Sequence, residues 1–416
     1  MARVLFLTSR LPYPPREGHQ LRSWHLLQAV SQAHEVTLLS CLRDDDALAE
    51  CAPLRALVPR IETFPLPAQQ SRRALAGALV RGTLGRQPFV AEKYFVPRMR
   101  ARVCEFARDA DLIHVDMLPL MQLVRAARQP LVLNAHNVEH RLLRQRADRE
   151  RRVAHRLFMR AQAPKLLRFE RDACRRASRV LACSDDDARE LAALAPRTRV
   201  CVVPNGVDVE RCRPGIDSPQ PARLLFVGPM TWFPNLDGMQ WFLRDVLPRI
   251  LAVRPDAQLT IVGRASGLEV PLPLREHVRL AGFVEDLRQE VDAAAVCVVP
   301  LRAGSGTRLK VLEAMAFAKP IVTTSIAAQG IDLVDRHEAL FADDASGFAD
   351  AVLRLLADRA RAARLGAAAR AKAQARYDWR AIGHELLAVY DELLRAPAVD
   401  RFTDQFVERE LRLAQR

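Results

Sequence analysis

Gly304-Ser-Gly-Thr-Arg-Leu-Lys-Val-Leu-Glu-Ala-Met-Ala-Phe-Ala-Lys-Pro-Ile-Val-Thr-Thr324 is the stretch on which the fold of this chain turns. It opens with glycines and runs into a strongly helical segment. Pro320 then stops the helix, and the β-branched run Ile321–Thr324 predicts a strand. A Gly-rich loop that opens a helix presents unpaired backbone N–H groups and roughly half a positive charge, a ready place for phosphate. Gly304, Ser305, Gly306 and Thr307 supply that loop, and Arg308 and Lys310 add fixed cationic charge in the first turn. Glu313 follows Lys310 by one turn, so both project from one face, a carboxylate placed for the hydroxyl pair of a ribose. The plainer alternative is an ordinary loop–helix–strand unit carrying a surface Lys310–Glu313 pair.

The rest of the chain gives this unit its setting. At 416 residues, with about 150 per domain as a guide, two or three domains are expected. Half the residues are hydrophobic, which excludes a disordered chain. No apolar run approaches the roughly 18 residues of a membrane helix. The opening Met1–Ser9 is too short for a secretory signal and reads as a first strand. Eight cysteines are scattered without a CxxC pair, as expected of small buried hydrophobes in a reducing compartment, so a cytoplasmic protein is expected.

Strands and helices alternate along the chain. Val4–Thr8, Glu35–Ser40, Leu112–Val115, Leu131–Ala135, Val180–Ala182 and Val200–Val203 read as strands, with Leu21–Ser31, an Arg-rich stretch near 139–177, and Asp185–Leu194 as helices. After a Pro-rich break at 213–221 the pattern restarts with Leu224–Val227, Leu259–Val262, Val278–Ala281, Val296–Val299 and Ile321–Thr324. Two such series predict an α/β protein of two doubly wound, Rossmann-like domains, with ligands beyond the carboxyl ends of the strands. The expected division is 1–205 and 206–376, with a helix at about 377–395 packing back on the first domain and a charged tail at 396–416. Domains of this kind facing a central cleft suit the joining of two substrates, one held by each.

Val203-Pro-Asn-Gly-Val-Asp208, Leu225-Phe-Val-Gly228, Leu259-Thr-Ile-Val-Gly263, Val278-Arg-Leu-Ala-Gly-Phe-Val284 with Asp286, and Leu312-Glu-Ala-Met-Ala316 followed by Pro320-Ile-Val322 recur in one order and spacing. Together they resemble GT-B glycosyltransferases of the retaining family 4 (group 1), over most of the chain to about residue 395. Pro12-Tyr-Pro-Pro15 with Gly18 and Arg22 resembles the bacterial exopolysaccharide-type sugar transferases in particular. The resemblance implies that Glu313 binds the donor ribose, that Gly228 leaves room for the donor phosphates, and that the Phe283–Val284 backbone holds the base. Gly18, Arg22 and Asn137 fall on the implied acceptor side. Two departures stand out. Many members carry a Glu eight residues before the position of Glu313, where this chain has Ser305. Many also carry an Arg and a Lys just after the position of Gly228, where this chain has Pro229 and Met230-Thr-Trp-Phe-Pro-Asn235. Arg308 and Lys310 are expected to neutralise the diphosphate instead.

In the first half, His114 and Asp116 match the family's His-x-His site with Asp in the second place, and His136-Asn-Val-Glu139 matches a His-containing active-site loop. His114, Asp116, His136 and Glu139 are the catalytic candidates; the plainer account of His114 is a core histidine. Cys183-Ser-Asp-Asp-Asp187 reads as a helix cap. Ten histidines without HxxEH-like spacing give no metal site, and no cofactor beyond a nucleoside-diphosphate sugar co-substrate is expected. The implied chemistry is glycosyl transfer with retention in surface polysaccharide assembly, resting on leaving-group stabilisation and acceptor positioning. A nucleotide-sugar epimerase and a catalytically silent scaffold are the alternatives.

The net charge of +14 is unevenly spread. Basic residues far outnumber acidic ones between Arg141 and Arg176. Arg72, Arg73, Arg81, Arg86, Lys93, Arg98, Arg100 and Arg102 interleave with Leu75, Leu79, Leu84, Phe89, Tyr94 and Phe95. That mixture suits a peripheral position on anionic lipid, at the inner face of the cytoplasmic membrane, from which a lipid-linked glycan acceptor is reached. No nucleic-acid reading module is present. Arg-rich solvated helices are the plainer account.

Overall fold

The computed structural model describes residues 1–395 except 17, 44, 45, 47, 151, 216–218, 285, 305 and 306. Ser305 and Gly306 of the expected phosphate loop, and the 396–416 tail, therefore lie outside the described residues. The chain divides into two compact units, Met1–Val203 with the segment from Gly383 onward, and Pro204–Ile382.

The first unit is a seven-stranded parallel sheet in the order β3-β2-β1-β4-β5-β6-β7. Its strands are β1 (Arg3–Thr8), β2 (Glu35–Leu42), β3 (Arg60–Pro65), β4 (Leu112–Asp116), β5 (Leu131–Ala135), β6 (Arg179–Ala182) and β7 (Arg199–Val202). β4 and β5 are buried along their whole length, as strands covered by helices on both faces must be. β1 pairs with both β2 and β4, so the strand order reverses there and leaves a crevice at the carboxyl ends. The Arg-rich stretch forms two helices, Glu139–Arg149 and Val153–Arg176. β3 is missing from the sequence reading because Arg60-Ile-Glu-Thr-Phe-Pro65 carries too little apolar character.

The second unit is a six-stranded parallel sheet, β10-β9-β8-β11-β12-β13. It comprises β8 (Arg223–Val227), β9 (Gln258–Val262), β10 (Val278–Gly282), β11 (Val296–Val299), β12 (Ile321–Thr323) and the short β13 (Leu340–Phe341). Here the order reverses between β8 and β11. The fold class is thus α/β with two Rossmann-like sheets. The last helix, Trp379–Arg395, starts in the second unit, where Val207 bridges to Asp378, and from Gly383 belongs to the first.

The helix after the glycine loop is shorter than its sequence suggests. It spans Leu309–Ala316 and ends four residues before Pro320. Lys319 N–H donates to Ala314 O and Ala318 N–H to Met315 O, both at 2.9 Å, with Ala318 at φ 55°. This left-handed closure satisfies the last carbonyls before proline is reached. Ala at such a position is strained by about 1–2 kcal/mol, against about 0.4–1 kcal/mol of extra chain entropy for Gly. Ala318→Gly should therefore stabilise the protein by about 0.5 kcal/mol in urea unfolding; a loss of stability would refute this account of the helix end.

Candidate functional site

In the first unit the polar side chains gather at the reversal. Asp116 is the last residue of β4, in register with Thr8 of β1 and Asn134 of β5, so three strand ends meet. Its Oδ1 accepts Asn134 Nδ2–H and His136 Nε2–H, each at 2.6 Å, and its Oδ2 accepts the Ser23 hydroxyl. Burial by itself would push this carboxyl up. The adjoining His136, which also hydrogen-bonds the carboxylate, and the Ser23 hydroxyl overcome it and hold Asp116 well below the usual carboxylate range. Asp116 is thus an ionised hub that fixes the His136 ring, whose side chain is 8% exposed.

Arg22 and His114 stand behind this hub. Arg22 is 1% exposed, and its guanidinium donates to Asn134 Oδ1 at 2.8 and 3.1 Å and to Val203 O at 2.9 Å. It orders the strand ends, a positioning role where an acceptor contact is expected from sequence. His114 has no exposed surface. Its ring stacks on Phe6 at 4.1 Å, its Nδ1 lies 2.7 Å from the Tyr390 hydroxyl, and burial pushes it down to about 3. This is a neutral, fully buried imidazole, the setting of the plainer account of His114 as a core histidine. Gly18 opens the Gly18–Ala33 helix and is exposed, and Asn137 is half-buried beside Glu139.

Glu139 begins its helix with no side-chain cap, because Val138 precedes it. Glu170, 1% exposed on the neighbouring Val153–Arg176 helix, supplies the cap. Its Oε1 accepts Glu139 N–H at 2.8 Å, and its Oε2 accepts His140 N–H at 3.3 Å and faces His140 Nδ1 at 2.6 Å. Burial, then the Glu170 charge, push Glu139 up to about 7, against a hydrogen bond from Asn137. Its folded pKa lies above the unfolded value, so folding favours the protonated form, and stability is lost as pH rises from about 4.5 through 7. Glu139→Gln should leave stability unchanged near pH 4.5 and raise it by about 2 kcal/mol at pH 8, read by thermal unfolding at both pH values. A uniform effect at both would contradict the shift.

The second unit builds its cluster around a glycine. Gly228 follows β8 with φ 149°, and a Cβ there would lie 2.5 Å from Lys310 Nζ and 2.7 Å from Asn235 Nδ2. Lys310 Nζ donates to Asn235 Oδ1 at 2.6 Å and sits 4.0 Å from the Phe226 ring centre. Burial pushes it down to about 7, with Glu313 opposing and Arg308 reinforcing. Lys310 therefore carries a variable charge rather than a fixed one. Burial likewise pushes Glu313 up to about 7, against Lys310 and Arg211. The two side chains line a narrow crevice with Val227, Leu287, Val291 and Ala314.

Arg308 is 3% exposed and stands at the N-cap position without a side-chain cap, its Nη2 donating to Ile326 O at 3.3 Å. Gly304 has φ 132°, and a Cβ there would meet Arg308 Nη2 at 2.8 Å. Thr307 is buried, and its carbonyl accepts Asn205 Nδ2–H at 3.2 Å. Phe283 is 59% exposed and Val284 half-buried after β10. Gly228, Lys310 and Glu313 are thus brought together. Sequence reasoning misses Ser23, Asn134, Asn235, Glu170 and Tyr390. Asn134 had a visible signal, as the polar break in an apolar strand; Glu170 in an Arg-rich helix had none. Among the described residues no group of three or more His, Cys, Asp or Glu is placed to hold a metal ion.

Two family models match in tandem, Glycosyltransferase Family 4 over residues 18–211 and Glycosyl transferases group 1 over residues 221–358. A phosphatidyl-myo-inositol mannosyltransferase of Mycolicibacterium smegmatis is 31% identical over 201 residues, 45% of this chain and 51% of that protein. A Klebsiella pneumoniae protein described as an uncharacterized 44.6 kDa protein in the cps region is 29% identical over 139 residues, 31% of this chain and 36% of that one. The chain thus spans about half or less of the length of these curated relatives. Among solved structures, sucrose-phosphate synthase from Thermosynechococcus elongatus superposes with a TM-score of 0.71 at 19% identity, covering 95% of this chain and 100% of that one. Anabaena HepE in complex with UDP and glucose gives 0.64 at 16% identity, covering 94% and 100%. With two adjoining family matches and a GT-B fold shared almost from end to end, this chain belongs to the group 1, family 4 glycosyltransferases.

Proposed function

We propose that the protein transfers a sugar from a nucleoside-diphosphate sugar to a glycan or lipid-linked acceptor, with retention at the anomeric carbon, in surface polysaccharide assembly. The observation that carries this is the Lys310 ammonium seated against Gly228, with Glu313 one turn further on. It supports a cation and a carboxylate suited to ribose hydroxyls near the end of β8, where this chain lacks the Arg and Lys that many family members carry. Solved neighbours described in complex with UDP and glucose or with UDP-glucose, and relatives named as mannosyltransferases, support the same reading.

In this mechanism the donor C1–O bond breaks and its electron pair leaves with the nucleoside diphosphate. Protonated Lys310 and the backbone N–H groups at the start of the Leu309–Ala316 helix stabilise that charge. The acceptor hydroxyl adds to C1 from the same face and passes its proton to the departing phosphate oxygen. His136, held by Asp116, and Glu139 stand where an acceptor hydroxyl or the donor sugar is oriented.

Nucleotide binding tests this directly. UDP, GDP, ADP and CMP are each added at saturation to the purified protein; one of them at 100 times its dissociation constant should add about 2.7 kcal/mol. Lys310 must hold a proton to meet diphosphate, so affinity falls above pH 7. Glu313 must be ionised to accept ribose hydroxyls, so affinity falls below pH 7. Lys310→Met should flatten the alkaline limb and Glu313→Gln the acid limb. A protein indifferent to all four nucleotides would be the silent scaffold.

The same reading places the acceptor half at an anionic membrane. The Arg72–Leu84 helix exposes Leu75, Leu79, Val80 and Leu84 by 39, 43, 55 and 83%, between the exposed Arg72, Arg73 and Arg81. Among the described residues no helix is long and apolar enough to cross a membrane, so surface association is the mode proposed. The protein should sediment with vesicles containing phosphatidylglycerol and not with phosphatidylcholine alone, and Leu79→Glu/Leu84→Glu should abolish it. Equal binding to both vesicle types would count against an electrostatic contact.

A further inference from the structure

We propose that the strand-end site of the first unit holds a phosphate or diphosphate group of the acceptor between Arg43 and Lys93, beside Tyr94. This rests on the reading that the first unit takes the acceptor, and it names the acceptor's chemistry. Arg43 is the first residue after β2, and its Nη2 donates to the Tyr94 hydroxyl at 2.7 Å. Lys93 ends the Phe89–Lys93 helix, and its Nζ lies 5.9 Å from the Tyr94 ring centre. Two half-buried cations thus flank one buried aromatic ring.

Neither cation has a carboxylate partner among the described residues. Asp46, the described acid nearest to Arg43 along the chain, accepts Arg10 Nε–H at 2.5 Å and the Arg43 backbone N–H at 2.9 Å, and the Arg10–Asp46 side chains are 5% and 1% exposed. Glu92 is held by Arg81 at 2.8 Å. Arg43 Nε is buried with no hydrogen-bond partner. Burial, then the Arg43 charge, lower the pKa of Lys93. Two like charges withdrawn from water with no carboxylate partner among the described residues are costly, and a bound anion removes that cost. A guanidinium fork beside an ammonium suits phosphate oxygens.

The cluster adjoins the rest of the site. His19, in the first turn of its helix, is pushed down to about 3 by burial and then by the Arg43, His136 and Arg10 charges, which all act on this one ring. The Glu139 charge also reaches Tyr94. An acceptor whose phosphate sits at Arg43 and Lys93 therefore extends toward His136. Phosphate of this kind is borne by a prenyl lipid carrier or by a soluble sugar phosphate.

The experiment is calorimetric titration of the full chain saturated with the nucleotide it binds, which fills the phosphate cradle of the second unit. The probes are inorganic pyrophosphate, geranyl diphosphate and glucose 1-phosphate. Binding should weaken about tenfold or more in Lys93→Met and in Arg43→Gln, while nucleotide affinity stays unchanged. Tighter geranyl diphosphate assigns the phosphate to a lipid, and comparable glucose 1-phosphate assigns it to a soluble sugar; either supports the site. Absence of binding by all three, or affinity unchanged in both variants, overturns it. Asp44 and Asp45 lie outside the described residues, and anion binding that emerges only in Asp44→Asn/Asp45→Asn would show that these acids already compensate the cations. If no nucleotide binds, the donor reading fails separately, and the same titrations on Lys310→Met still decide this one.

Discussion

A buried ammonium needs both space and a partner, and Lys310 has them because position 228 carries no side chain. The Cβ of any other residue would collide with Nζ and with the Asn235 amide that receives it. Around this contact the second unit is organised. β8 ends at Gly228, the Leu309–Ala316 helix is docked so that its second residue reaches back over Phe226, and Glu313 follows on the same face. The energetics are finely balanced: burial weakens the charge of both Lys310 and Glu313, and each restores part of the other's. Neither group is held as a permanent ion pair, so the charge of each stays sensitive to what lies beside it.

The first unit solves the opposite problem. Its hub, Asp116, is an anion kept ionised inside the protein by converging donors from Asn134, His136 and Ser23. Arg22 stands behind Asn134 as the balancing charge, and His114 with Tyr390 fills the layer beneath. The loop that carries His136 ends in a helix whose missing cap is replaced by Glu170 from another helix. That substitution has an electrostatic consequence, because the capping carboxylate is also what holds Glu139 near neutrality. Local helix chemistry and the protonation state of a candidate catalytic group are thus one interaction.

The sequence by itself determined the periodicities and the glycines. Strand–helix alternation with apolar β-branched runs specifies doubly wound parallel sheets, since only strands covered on both faces read that way. The Lys310–Glu313 spacing was legible because helix geometry is a local property, and Gly228 through the family resemblance of Leu225-Phe-Val-Gly228. A cap at Cys183–Asp187 was legible for the same local reason, with Ser184 or Asp185 as its acceptor, and the Ser184 hydroxyl accepts Asp187 N–H. The true end of the Leu309–Ala316 helix was not, because Ala318 takes a left-handed conformation that its residue type disfavours.

Tertiary structure alone decided which polar groups face a site and which are sealed. His114 and Asp116 are two residues apart on one strand, yet one is a core ring under Tyr390 and the other the hub of the cluster. Arg22, Glu170 and Tyr390 acquired their roles from partners between 30 and 276 positions away. Charge state followed the same rule: Lys310 and Glu139 have ordinary sequence neighbours, and only burial against particular partners moves both to about 7. The physical reason is that desolvation and Coulomb energies depend on distances through the folded protein, which no local pattern of residues encodes.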